Sequence, residues 1–405
     1  MSVTIDTIRA AAAVIKGKAL RTPCIPSSVL SERCGADVVL KLENLQHTGS
    51  FKLRGALNKL SALDREKKKA GVVAASAGNH AQGVAYVARS CGIPATIVMP
   101  LGTPFTKITR TEALGAKVIF HGETLAEADE KAARLPGEHI HPYDDETIIA
   151  GQGTIGLEML EDHPDLDALI VPVGGGGLIS GIAVAARAIK PGIEIFGVQA
   201  AAYPSMACAL RGEKLSGGGP TVAEGIAVKY PGKITRPIVE TLVADIFLAD
   251  EQALERAVQT LVMEQRIVVE GAGAAPLAAL AGNRKRFAGK KVGLVVSGGN
   301  IDSSVLASIL MRGLVRDGRL VSIRVEITDT PGLLSKVSGL IGDLGGNIVE
   351  VRHQRLFQDI PVKMTEVDLV VETMGVKHVR HLMAQLNDAG LPSRLLSNTS
   401  DDEPG

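Results

Sequence analysis

Short apolar runs alternate with amphipathic stretches through most of the chain. Residues 38–42, 72–75, 95–99, 117–120, 168–173, 193–198 and 292–296 are nearly unbroken runs of Val, Ile, Leu and Ala. Such runs suit strands buried on both faces of a parallel sheet. Helices are predicted over 81–90, 178–189, 251–264 and 303–311. The alternation of strand and helix predicts an α/β protein with two open, doubly wound sheets rather than a closed barrel.

The pattern changes near Met311. Residues 312–319 are polar and punctuated by glycine, which reads as a linker. Beyond it the expected order is a strand at 320–327, a helix at 332–344, strands at 347–354 and 365–372, a helix at 376–389 and a strand at 393–396. That βαββαβ order is a ferredoxin-like module. The expected division is therefore 1–316, with a smaller subdomain at roughly 50–150, then 320–397, and a disordered polar tail at 398–405.

Composition narrows the function classes. The 405 residues carry 44 basic and 44 acidic side chains, and only 3% are aromatic, so neither a basic stripe nor a stacking platform points to nucleic acid. The 45 glycines suit tight turns between strands and helices. Cys24, Cys34, Cys91 and Cys208 lack CxxC spacing, and His80, His139 and His141 lack HExxH spacing, so no metal site is expected. The N-terminal residues lack a basic then apolar signal, and no apolar stretch is long enough to span a bilayer. A soluble cytoplasmic protein acting on small molecules, with no membrane partner, is the expectation.

The candidate chemistry lies in four loops at the carboxyl ends of predicted strands, where open α/β sheets bind ligands. The first holds Gly49-Ser50-Phe51-Lys52-Leu53-Arg54-Gly55. With Ser50 as N-cap, Lys52 falls in the first helical turn, where the helix dipole disfavours a cation and lowers the amine's pKa. A lysine forming a Schiff base needs that. The second loop is Ser76-Ala77-Gly78-Asn79-His80-Ala81-Gln82-Gly83. The third is Gly174-Gly175-Gly176-Gly177-Leu178, whose bare N–H groups open a helix and can hold a phosphate. It lacks both the GKS ending of a nucleoside-triphosphate loop and GxGxxG spacing. The fourth is Ser297-Gly298-Gly299-Asn300. A phosphate cradle beside a Schiff-base lysine suggests pyridoxal phosphate.

Together these segments resemble the motif set of the fold-type II pyridoxal-phosphate enzymes and, among them, the threonine ammonia-lyases. Asp329-Thr330-Pro331-Gly332-Leu333-Leu334 makes the C-terminal module similar to an ACT domain. The likeness runs from the N-terminal helix to Leu396. It implies that Lys52 holds pyridoxal 5'-phosphate, Phe51 packs on its ring and Asn79 meets the ring hydroxyl. Gly174, Gly175, Gly176, Gly177 and Leu178 would bind the phosphate, and Ser297 the pyridine nitrogen. Ser76 and the N–H groups around Gly78, Asn79 and His80 would grip the substrate carboxylate. Because a hydroxyl at Ser297 cannot keep the ring nitrogen protonated as a carboxylate would, β-elimination is favoured over transamination.

The implied activity is conversion of L-threonine to 2-oxobutyrate and ammonia, with L-serine as a second substrate and Lys52 as the base. Glu270 aligns with a family acid near the cofactor and reads as site-adjacent. The resemblance further implies a homodimer or homotetramer. It also implies a branched-chain amino-acid effector, isoleucine or valine, near Pro331, Gly332 and Leu333. Three alternatives share the scaffold. Serine racemases of this group place a serine where Ala77 stands and metal-binding acids after the 193–198 strand, yet 199–206 holds no acid. Hydroxyaspartate elimination would differ only in substrate contacts. A non-catalytic amino-acid sensor would have no need of Lys52, Asn79 and Ser297.

Overall fold

Strands β1 (Cys24–Pro26), β2 (Asp37–Leu42), β3 (Val72–Ala75), β4 (Ala95–Met99), β5 (Lys117–Phe120), β6 (Glu138–His139), β7 (Ala168–Pro172), β8 (Glu194–Ala200), β9 (Asp245–Ala249) and β10 (Lys291–Val296) build two sheets. The larger runs β1-β2-β10-β7-β8-β9 and the smaller β5-β4-β3-β6. Every pairing is parallel except β1 with β2. In this computed structural model the described residues are 3–214, 217–354 and 363–396, so the tail expected at 398–405 lies outside them.

The central strands β3 and β7 are buried at every position, and β10 at every position but its first, as their unbroken apolar runs require. Separate apolar clusters fill the two lobes. One includes Leu53, Leu57, Val84 and Ile97 beside the smaller sheet, the other Ile155, Val171, Ile182 and Val295 beside the larger.

One helix fixes the site helices to each other. The Glu146–Asp162 helix carries Gly151 and Gly153. A Cβ on Gly151 would lie 2.7 Å from the Cα of Gly55, and one on Gly181 would lie 2.3 Å from the Ile149 carbonyl oxygen. Backbones therefore touch on two sides, against the Lys52–Ser61 helix and the Gly177–Ile189 helix. A methyl group at either point would push a helix start, and the loop before it, out of place.

A second compact unit, Ser303–Gly405, is distinct from Met1–Asp302. Its strands β11 (Leu320–Thr328), β12 (Asn347–Gln354), β13 (Met364–Glu372) and β14 (Ser393–Leu395) form an antiparallel sheet in the order β12-β13-β11-β14. Ile323, Val325, Val367 and Leu369 pack against Val337, Ile341, Leu382 and Leu386 of the Leu333–Asp343 and Val376–Asp388 helices. The βαββαβ order is the expected one.

Two local expectations are corrected. The stretch 312–319 is not a free linker, because the Ser303–Arg316 helix continues through most of it. Arg312, Gly313 and Arg316 look polar in sequence, yet Gly313 is buried on the helix's inner side. The helix expected at 332–344 also starts one residue later. Gly332 is the N-cap of the Leu333–Asp343 helix, with φ 90°, and Pro331 precedes it. No helix among the described residues is long and apolar enough to cross a membrane.

Candidate active site

The loops after β2, β3, β7 and β10 converge on one cleft of about 280 Å³. Phe51, Lys52, Ser76, Gly78, Asn79, His80, Gly174, Gly175, Gly176, Gly177, Leu178 and Ser297 all line it. Segments far apart in sequence meet because each parallel sheet sends its carboxyl ends to one side, and the loop after β3 of the smaller sheet shares the cleft with those after β2, β7 and β10 of the larger.

Lys52 is the first residue of its helix, but its N-cap is Phe51 and no side chain caps it. Ser50, the expected cap, is instead tied by its backbone to Gly298 in an isolated antiparallel bridge. Its hydroxyl is buried without a partner. The helix start is satisfied from outside, because Gln152 Oε1 accepts the Gly55 N–H at 3.2 Å. The Phe51 N–H donates to the Ser297 carbonyl at 3.1 Å, which joins the first loop to the fourth.

The Lys52 amine donates to the Pro142 carbonyl at 2.7 Å and lies 5.2 Å from the centre of the Phe51 ring. Burial lowers its pKa to about 8, although the nearby Glu270 carboxylate works the other way. A neutral carbonyl partner satisfies the amine without holding its proton as a carboxylate would.

Asn79 sits at the centre of a short network. Its Nδ2 donates to Glu270 Oε1 at 2.7 Å, and its Oδ1 accepts from Asn300 Nδ2 at 2.7 Å. Asn300 Nδ2 also donates to the Thr48 carbonyl at 2.8 Å. These partners fix the orientation of the Asn79 amide and leave one of its two N–H bonds to donate elsewhere. Glu270 is pushed up to about 7, first by burial and then by Glu224, while the Asn79 hydrogen bond opposes the rise. A Cβ on Gly298 would lie 2.4 Å from Glu270 Oε1, so the fourth loop needs glycine at that point.

The second loop divides its donors. Ser76 Oγ accepts the Gly78 N–H at 3.1 Å, so that N–H is not free to meet a carboxylate as expected. The Asn79–Ser90 helix has no side-chain cap, which leaves the N–H groups of its first turn, Asn79 and His80 among them, to a ligand. The His80 ring is occupied. Its Nε2 donates to the Ile140 carbonyl at 2.7 Å, and burial, helped by Lys52, lowers its pKa to about 3. His80 is thus neutral and offers backbone rather than ring.

In the third loop, Gly176 at φ 99° caps the Gly177–Ile189 helix without any side-chain bond. The Gly175 carbonyl is turned aside, accepting from the Gly232 N–H at 3.1 Å and from Thr235 Oγ1 at 2.6 Å. A Cβ on Gly175 would lie 2.3 Å from the Tyr143 ring. The result is a bare helix N-terminus with no room for side chains, suited to an anion. Among the described residues no group of three or more His, Cys, Asp and Glu side chains is placed to hold a metal ion.

Comparison with known proteins agrees with this geometry. Residues 15–298 match the family Pyridoxal-phosphate dependent enzyme, and residues 321–390 match the ACT domain. The chain belongs to the pyridoxal-phosphate dependent enzymes. It is 45% identical over 401 residues to an L-threonine ammonia-lyase of Thermotoga maritima, covering 97% of this chain and 100% of that protein. Among solved structures it is similar to maize serine racemase, with TM-score 0.73, 34% identity and coverage of 78% of this chain and 99% of that one. It is also similar to the processed form of threonine deaminase isoform 2 from Solanum lycopersicum, with TM-score 0.71, 36% identity and coverage of 76% and 91%.

The cofactor of this pyridoxal-phosphate dependent enzyme is pyridoxal phosphate, and the cleft fits it. An uncapped, side-chain-free helix start can take a phosphate, and a lysine of lowered pKa can take an aldehyde. Three cleft residues had weaker sequence signals. Glu270 read only as site-adjacent, and Asn300 ended a quoted motif without a role. Tyr143 had no signal, because its importance comes from contact with Gly175 and appears only in the fold.

Proposed function

We propose that the enzyme converts L-threonine to 2-oxobutyrate and ammonia, with L-serine as a secondary substrate giving pyruvate. The observation that carries the reading is the presence in one cleft of a lysine poised to lose its proton and of Ala77. The amine, with a pKa near 8, can act as a base, whereas Ala77 lines the same cleft and cannot carry a proton. One proton-transfer group favours elimination, while racemisation needs a second on the opposite face. The full-length likeness to an L-threonine ammonia-lyase supports the same conclusion.

In this reading Lys52 would hold the cofactor, and the glycine loop with the helix start at Gly176, Gly177 and Leu178 would hold its phosphate. Phe51 would pack on the ring, Asn79 would give its remaining N–H to the ring hydroxyl, and Ser297 would meet the ring nitrogen. When bound, the cofactor supplies an electron sink conjugated to the substrate Cα. Ser76 and the first-turn N–H groups of the Asn79–Ser90 helix orient the substrate carboxylate. The Lys52 amine, freed by the substrate's own amino group, takes the Cα proton. The β-hydroxyl would then leave as water, its extra proton coming from the Lys52 ammonium, which returns the amine to its neutral form. The enamine released tautomerises to an imine, and water converts that to the keto acid and ammonia.

Regulation belongs to the same proposal. The ACT domain would bind a branched-chain amino acid at the uncapped start of the Leu333–Asp343 helix, beside Pro331, Gly332 and Leu333. A cytoplasmic homodimer or homotetramer completes the reading. The test is a keto-acid assay with threonine, serine and 3-hydroxyaspartate, with and without isoleucine or valine, plus chiral chromatography of residual serine. Threonine should give the highest kcat/KM, and serine should stay L. D-serine as the main product, or no keto acid from threonine, would overturn the proposal.

A further inference from the structure

The cleft contains an ion pair that the reaction above does not use. Lys107, in the Phe105–Ala113 helix beside the smaller sheet, donates to Glu224 Oε2 at 2.5 Å. Glu224 begins the short Glu224–Ile226 helix. Both residues line the cleft, so the pair bridges two of its walls. The Lys107 side chain is only 16% exposed, while that of Glu224 is 70% exposed. The pair is near Glu270. A Cβ on Gly225 would lie 3.3 Å from Glu270 Oε1. Besides burial and the Asn79 hydrogen bond, the Glu224 and Lys107 charges both act on the Glu270 carboxylate.

The charged side chains lining this cleft are Lys52, Lys107, Arg110, Glu224, Glu270 and Asp302. Lys52 is committed to the cofactor. Arg110 is exposed, and Asp302 accepts from Thr106 Oγ1 at 3.2 Å. Lys107 is therefore the sheltered cation that a second carboxylate on a substrate could use, and Glu224 already occupies it. An incoming acidic side chain would have to displace Glu224 and would be repelled by it.

We propose that Glu224, by occupying Lys107, is a specificity-determining residue that excludes amino acids with an acidic side chain and keeps the cleft for neutral ones. This rests on the lyase reading for the choice of substrate, but it is tested by binding alone. The holoenzyme is titrated with L-aspartate and with L-2-aminobutyrate, followed by the absorbance of the bound cofactor. Neither ligand has a β-hydroxyl to eliminate. In Glu224→Gln, L-aspartate should bind at least about fivefold more tightly and L-2-aminobutyrate should change by less than about twofold, the scale of a partly exposed ion pair. Adding Lys107→Met should cancel the gain. Unchanged aspartate affinity, an equal gain for both ligands, or a gain that survives in the double variant would overturn the proposal. Failure of the unmodified enzyme to deaminate threonine would defeat the lyase reading instead and would leave this binding result intact.

Discussion

Lys52 and Arg54 start the same helix and enter opposite electrostatic surroundings. Arg54 is wholly buried and fully answered. Its Nε and Nη2 donate to the two Glu43 oxygens at 2.9 and 2.7 Å, and its Nη1 donates to Glu158 Oε1 at 2.6 Å. Lys41, also wholly buried, donates to Glu158 Oε2 at 2.5 Å and to the Thr22 carbonyl at 2.7 Å. Thr22 in turn donates to Glu43. Burial alone would push Glu43 up, yet the Arg54 guanidinium holds it below the usual carboxylate range. Arg54 is likewise raised by its carboxylates against the cost of burial.

Lys52 lacks such an answer. Its hydrogen bond goes to a neutral carbonyl, and burial wins. Glu270, which lines the same cleft, is pushed towards neutrality in the same way, with Asn79 as its hydrogen-bond donor. Polar burial thus has two uses within one helix. Paired with opposite charge it fixes geometry; left with neutral partners it prepares a group to exchange protons.

The sharpest way to break this contrast is Lys52→Ala. Removing the proposed anchor and proton-transfer base together should lower kcat/KM for threonine by about a thousandfold or more. Borohydride treatment should then fail to fix cofactor covalently to the protein. A loss below about tenfold, or cofactor still fixed by borohydride, would move the reacting amine elsewhere.

Arg54→Met tests the other half. Glu43 would remain buried and Glu158 half-buried without their shared guanidinium, so unfolding free energy should fall by about 3–5 kcal/mol. Urea denaturation of the holoenzyme measures it. A change under about 1 kcal/mol would mean that water or rearrangement satisfies the carboxylates and that the cluster does not hold the Lys52 helix.

How much of this was legible in sequence depends on how local the cause is. The buried strands and the glycine loops are local signals, and each expected cofactor residue does line the cleft. Strand β6 has only two residues, and β1 and β9 are edge strands that pair on one side, so their apolar signal is thin. Ser50 has the right chemistry for an N-cap, but its backbone is claimed by Gly298, a residue remote in sequence. Lys41, Glu43, Arg54 and Glu158 carry no joint signal in sequence, because only the fold brings them together. Glu270 is similar: its raised pKa comes from burial among segments that the sequence keeps apart.

The smallest expected effect is also the most direct test of why Glu270 differs from Glu43. The folded pKa of Glu270 is near 7, above its ordinary value of 4.5. Below 4.5 the group is neutral in both the folded and the unfolded chain, and nothing is lost. As pH rises towards 7 the unfolded chain ionises first, so the folded state loses stability over that window and then levels off. Glu270→Gln cannot ionise, and its amide oxygen can still accept from Asn79. The cofactor-free variant should therefore be more stable than the cofactor-free parent above pH 7, by roughly 1–2 kcal/mol after allowing for water in the cleft. The difference should shrink towards pH 4.5. Paired thermal melts across pH 4.5–8 read it out. If the two melting curves shift in parallel with pH, Glu270 is an ordinary ionised carboxylate, and the contrast with Glu43 rests on Lys52 alone.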